Sequence, residues 1–131
     1  MDIISALFVE NIEFRQVEGP ATRIDLGGVM FSMAPPQPFP VSVEPHLVVL
    51  VRCRADEPGS AVLESVFRDA SGAQVARNVQ PFQVEPGKFG YRLVRAELTY
   101  DAPGTIEAHC RLDQGPWHVV PLTVLPSAEG A

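Results

Sequence analysis

The side chains best suited to soft-metal or nucleophilic chemistry are three histidines, His46, His109 and His118, and two cysteines, Cys53 and Cys110. None stands in a tight ligand spacing such as CxxC or HExxH, where neighbouring donors converge on one ion. His109 and Cys110 are adjacent, so on a strand they point to opposite faces and cannot hold one ligand together. Cys110 and His118 differ. A three-residue loop, Asp113 to Gly115 with Gly115 in the left-handed position, sets them opposite each other across a hairpin. The same register puts Ala108 opposite Val120 and Ile106 opposite Leu122, so the apolar faces of both strands agree. A cysteine beside a histidine is the elementary nucleophile–base pair. Activation also needs an electropositive, accessible setting and a third group to orient the imidazole, and the sequence offers neither. The expectation is two half-buried strand residues, with a Cys110/His118 enzyme as the least favoured alternative.

Carboxylates are scattered: Asp25, Glu44, Asp56, Glu57, Asp69, Asp101 and Asp113. Turn geometry accounts for Asp69, Asp101 and Asp113, whose side chains can accept nearby backbone N–H groups. No DxDxDG-like cluster converges enough oxygens for calcium. GxSxG, P-loop and GxGxxG motifs are missing, and RIDLGG has two glycines without the strand–turn–helix context of a phosphate site. No catalytic residue, metal or cofactor is expected, and the chain is read as a non-enzyme.

Two weaker constellations concern binding. Trp117, the single tryptophan, could stack on a small ligand or carbohydrate with His109 and Arg111 beside it. Met30, Phe31, Met33 and Phe39 flank the proline-rich APPQPFP and could form an adaptable apolar surface for a protein partner. The plainer reading of those four is a crossing loop that closes one end of a core.

The elements that must carry these residues are strands. At 131 residues, 46% hydrophobic and 20% charged, the chain is long enough to bury its own core. Thirteen prolines and ten glycines fall between apolar runs, where an all-β protein keeps its turns. No heptad, helical stripe or internal repeat occurs; what recurs is alternation with period two. LVVLVRCR sends Leu47, Val49, Val51 and Cys53 inward against Arg52 and Arg54. AVLESVFR does the same with Leu63, Ser65 and Phe67, and TIEAHCRL with Ile106, Ala108, Cys110 and Leu112. In FGYRLVRAELTY the inward set is Val94, Ala96, Leu98 and Tyr100, with a bulge expected near Gly90. Pro81 marks residues 73–85 as an edge strand. Ile3 to Phe8 reads as a first strand, and Arg23 to Met33 as a second broken at Gly27 and Gly28. DASG, EPGK, DAPG and DQG supply the turns. On this parity Trp117 points outward and His118 inward.

Seven to nine short strands with turns about every ten residues predict a two-sheet antiparallel sandwich. Residues 1–125 are expected to form one domain, and 126–131 a disordered polar tail. A net charge of −6 and the absence of clustered Lys and Arg argue against nucleic acid and anionic membrane as partners. MDIISALFVENIEF has no basic leader and no run long enough to span a bilayer, so a cytoplasmic location with free thiols is expected.

FPVSV…HLVVLVRCR, LESVFRDASG, LTYDAPGTIEAHCRLD and PLTV, from Phe39 to Leu125, resemble a family of small bacterial β-sandwich proteins of uncharacterised function. ISALFVEN fits that pattern more loosely, with Glu10 where an Asp is expected. The resemblance implies the fold and no catalytic residues. The arrangement also looks like the wider immunoglobulin-like class: Cys53 and Cys110 point inward, and Phe67 stands roughly where such domains bury a tryptophan. Ala108 in place of the corner tyrosine, and no Trp between the cysteines, depart from it. The resulting expectation is a non-enzymatic module that works through protein contacts, in a homodimer or with an unidentified partner. A ligand-binding module using Trp117 is the runner-up.

Overall fold

A computed structural model describes residues 1–19 and 21–127. Among these, every regular element is a strand: β1 (Asp2–Gln16), β2 (Thr22–Val29), β3 (Ser32–Met33), β4 (Val41–Val43), β5 (His46–Arg52), β6 (Ser60–Arg68), β7 (Gln74–Gln83), β8 (Phe89–Arg95), β9 (Leu98–Tyr100), β10 (Gly104–Leu112) and β11 (His118–Val124). That makes eleven, against the seven to nine expected. The excess comes from short pieces. Backbone bends around the prolines and Phe31 cut off β3 and β4, and Ala96–Glu97 separates β9 from β8.

The strands form a four-stranded sheet in the order β2-β1-β5-β8, a five-stranded sheet in the order β3-β11-β10-β6-β7, and a β4–β9 ribbon. All pairings are antiparallel except β3 with β11. Ala6, Phe8, Leu47, Val49, Val51 and Val94 of the first sheet share one buried cluster with Leu63, Phe67, Phe82, Ile106, Ala108, Cys110, Leu122 and Val124 of the second. Period-two alternation explains this, because it turns every second residue of β5, β6 and β10 into that cluster. Each large side chain fully buried there contributes on the order of 1.5–3 kcal/mol of transfer free energy.

β7 is an edge strand, as Pro81 required. The bulges lie elsewhere than expected. β5 and β8 pair without interruption through Val51–Gly90, while the register slips between Ile3 and Ser5 on β1 and between Phe67 and Arg68 on β6. β1 continues eight residues beyond Phe8, and β2 ends at Val29 instead of breaking at Gly27. Only Asp2 to Val9 of β1 pair with β5; Asn11 to Gln16 pair with β2 alone. This overhanging hairpin has no single core face, so its sequence, ENIEFRQ, carries no clean alternation. Of the expected disordered tail, Ser127 donates from Oγ to the Pro35 carbonyl at 3.4 Å, and residues 128–131 lie outside the described residues. Among the described residues no helix is long and apolar enough to cross a membrane.

Candidate functional site

The β10–β11 hairpin has the register that the apolar pattern demanded, with Cys110 opposite His118, Ala108 opposite Val120 and Ile106 opposite Leu122. Its turn differs in one detail. The left-handed residue is Asp113 (φ 50°), not Gly115. Gly115 is needed for another reason: its N–H donates to the Leu112 carbonyl at 2.9 Å, and an added Cβ would sit 3.0 Å from that oxygen. Asp113 tolerates the left-handed region because its short polar side chain finds a partner. That partner is distant in sequence: Oδ1 accepts from the Val62 N–H at 2.9 Å, while the Asp113 N–H donates to the Val62 carbonyl at 2.8 Å. The turn is thereby tied to β6.

Trp117, His109 and Arg111 meet on the outer face of the five-stranded sheet. The Arg111 guanidinium carbon is 4.3 Å from the Trp117 ring centroid, over its face. The His109 ring meets Trp117 edge-on at 6.3 Å. One residue not anticipated holds this group in place. Glu64 on β6, directly opposite Arg111, accepts from Arg111 Nε at 2.8 Å through Oε1. Its Oε2 accepts from Arg77 Nε at 3.0 Å and Nη2 at 2.9 Å. Hydrogen bonds from Arg111 and then Arg77 hold the Glu64 carboxyl below the usual carboxylate range. The parity of AVLESVFR placed Glu64 outward; only the β6–β10 register puts it beside Arg111. Trp117 remains 41% exposed, with Arg111 over one face of the ring. It also lines a cleft of about 200 Å³ with Met1, Ile3, Pro116 and His118. The Met1 ammonium pairs with the Glu57 carboxylate.

Cys110 and His118 are cross-strand neighbours, but the thiol is 0% exposed and its Sγ lies 3.5 Å from Ser65 Oγ. Burial pushes the Cys110 thiol up, opposite to what a nucleophile at neutral pH requires. Cys53 is also buried, its Sγ within 3.5–3.9 Å of the carbonyls of Arg54, Glu57 and Pro58, and both cysteines are free. Among the described residues, no three His, Cys, Asp or Glu side chains come together as a metal-ligand set.

The four residues of the expected partner surface separate. Met30, Met33 and Phe39 pack against the core cluster, and Phe31 alone stands in solvent, 83% exposed. A larger apolar surface arises where no sequence signal marked one. Phe14, on the overhanging part of β1, sets its ring 5.8 Å from Tyr91 of β8, and Phe89 lines the same groove. Phe14 and Phe89 are 61% and 68% exposed.

In comparisons with known proteins, no protein-family model matches the chain and no curated protein matches it.

Proposed function

We propose that this chain is a non-enzymatic β-sandwich of the immunoglobulin-like class that works through protein–protein contacts. The observation that carries the reading is the uncovered aromatic surface of Phe14, Tyr91 and Phe89. Single exposed apolar residues are ordinary on soluble proteins, but neighbouring aromatic rings are what the centre of an interface is made of. Two sheets sharing one cluster, with Cys53, Cys110 and Phe67 all inside it, fit the sandwich architecture and the resemblance of residues 39–125 to the small bacterial family. Unpaired buried thiols suit a reducing cytoplasm. The buried Cys110 and its raised pKa favour contact over catalysis.

A photo-crosslinking residue placed at position 14 or 89 in producing cells tests this. Discrete adducts from both positions, with none from the exposed turn residue Ser71, support it. No adduct, or the same smear from all three, overturns it.

A specific geometry keeps a second reading alive. Trp117, His109 and Arg111 do converge, and Trp117 opens on a cleft. A small glycan or metabolite seated there would quench or shift Trp117 fluorescence. A panel that leaves the emission unchanged removes this reading.

A further inference from the structure

We infer that the protein pairs with a second copy of itself through the open edge of β2, around a two-fold axis at Ile24. The inference rests on the contact reading above and names the partner. β2 ends the strand order of its sheet, so one row of its backbone N–H and C=O groups faces away from β1. The opposite edge of that sheet is engaged: Gln80 of β7 donates from Nε2 to the Leu93 carbonyl of β8 at 3.1 Å, and Arg92 donates to the Pro81 carbonyl at 3.2 Å. The five-stranded sheet ends in the two-residue β3 on one side and in the proline-bearing β7 on the other. Short strands and prolines are the usual ways of closing an edge, and β2 has neither.

The charges on β2 say what would pair with it. In the β1–β2 ladder Arg15 stands directly opposite Arg23, and Glu13 directly opposite Asp25. These are two like-charge rows on one face, each unfavourable. Within the chain, the diagonal Arg15–Asp25 pair at 2.8 Å gives partial relief. An antiparallel second β2 centred on Ile24 sets residue 23 of each copy against residue 25 of the other. Arg23 then meets Asp25 of the second copy, and Asp25 meets its Arg23, by symmetry. Both rows become Arg-Arg-Asp-Glu sequences across four strands, so each like-charge pair gains an opposite neighbour. A foreign strand would need this charge pattern by chance; a second copy has it necessarily.

The other face of the same ladder supplies the apolar part. Phe14 is directly opposite Ile24. The two-fold at Ile24 therefore generates a row running Phe14, Ile24, then Ile24 and Phe14 of the second copy. That row continues in each protomer into Tyr91. One face of the joined sheet is ionic and the other aromatic–aliphatic, as two-stranded ribbons need if they are to bury area when they join.

Sedimentation velocity over a concentration series tests the inference. The wild-type chain is expected to be a reversible dimer. Arg23→Asp and Asp25→Arg each place like charges against one another twice across the axis, and each is expected to weaken the dimer roughly tenfold or more. Neither should unfold the hairpin, because residue 23 then faces Arg15 as Asp, or residue 25 faces Glu13 as Arg. Circular dichroism checks that. The double variant restores opposite charges across the axis and is expected to dimerise nearly as well as wild type. A wild type that stays monomeric, a dimer indifferent to both single changes, or a double variant no better than the singles overturns the inference. If crosslinks from positions 14 and 89 persist to another protein while the chain is monomeric, the contact reading survives and the β2 dimer does not. If those crosslinks vanish while the charge-swap pattern holds, the reverse follows.

Discussion

Alkylation of Cys110 under native conditions is the sharpest measure of whether this fold can host thiol chemistry. Cys110 is 0% exposed, at the centre of β10, with β6 on one side and β11 on the other. No rotamer change brings its sulfur to solvent. Iodoacetamide reaches it only when β10 leaves the core. Domains of this size are stable by about 5–15 kcal/mol, and each 1.4 kcal/mol is tenfold in population. If opening is global, labelling therefore falls below that of an unfolded thiol by about 10⁴-fold at the lower end of that range. Urea lowers the opening free energy linearly, so the logarithm of the labelling rate should climb with urea at a slope set by the equilibrium m-value. Mass mapping separates Cys110 from Cys53, which is 1% exposed and should behave similarly. Labelling of Cys110 in native buffer within about tenfold of an unfolded thiol, flat with urea, would refute the buried assignment. It would also return the Cys110/His118 pair to consideration as a nucleophile.

Three further outcomes are expected. At the hairpin turn, Asp113→Ala loses the bond to the Val62 N–H and leaves a β-carbon at positive φ, costing about 2 kcal/mol; Asp113→Asn should cost well under half of that, and chemical denaturation giving the opposite order rejects the assigned role. Burial pushes the Tyr100 phenol, which donates to the Leu122 carbonyl at 3.1 Å, up to about 12. Because the folded value is raised, this stabilisation is complete below the ordinary tyrosine pKa of about 10 and is lost as pH rises toward 12. Tyr100→Phe should therefore unfold less steeply in that window, and cost about 1 kcal/mol at neutral pH for the missing hydrogen bond. The Glu64 carboxyl is held low by Arg111 and Arg77, so its contribution is present above the ordinary glutamate range and lost as pH falls through its lowered value. Acidification should release Arg111 from Glu64 and alter Trp117 fluorescence, and Glu64→Gln should abolish that step; an identical acid transition in the variant would show that Glu64 does not hold the stack.

Period-two alternation made β5, β6 and β10 legible because each has one face in the core and one in water. That contrast is the signal. It also yielded the hairpin register to the residue, since a slip by one position would have set Cys110, Ala108 and Ile106 against outward residues. The same logic fails on β1 beyond Val9. A ribbon free of β5 has no buried face to enforce alternation, so ENIEFRQ and the strand it pairs with were read short or broken. Positive φ was assigned to the glycine of DQG by habit of residue type. The choice fell to Asp113 instead, because only its carboxylate reaches a backbone donor on β6. A contact between residues 51 positions apart leaves no local trace in a sequence.

The two binding surfaces differ in a way that bears on which one meets a partner. On the outer face of the five-stranded sheet, Arg111, Arg77 and Glu64 satisfy one another, and His109 lies 3.3 Å from Glu107. A partner there must break charge-assisted bonds before making its own, and the desolvation cost of each opened pair counts against it. The β1–β2 ribbon presents the converse. Its like-charge rows are only partly relieved inside the chain, its backbone edge is open, and Phe14 adds apolar area that water wets at a cost. Association at the ribbon removes unfavourable terms already present in the monomer; association at Trp117 must first create them. The free-energy gradient therefore runs toward the ribbon, even though the sequence drew attention to the tryptophan.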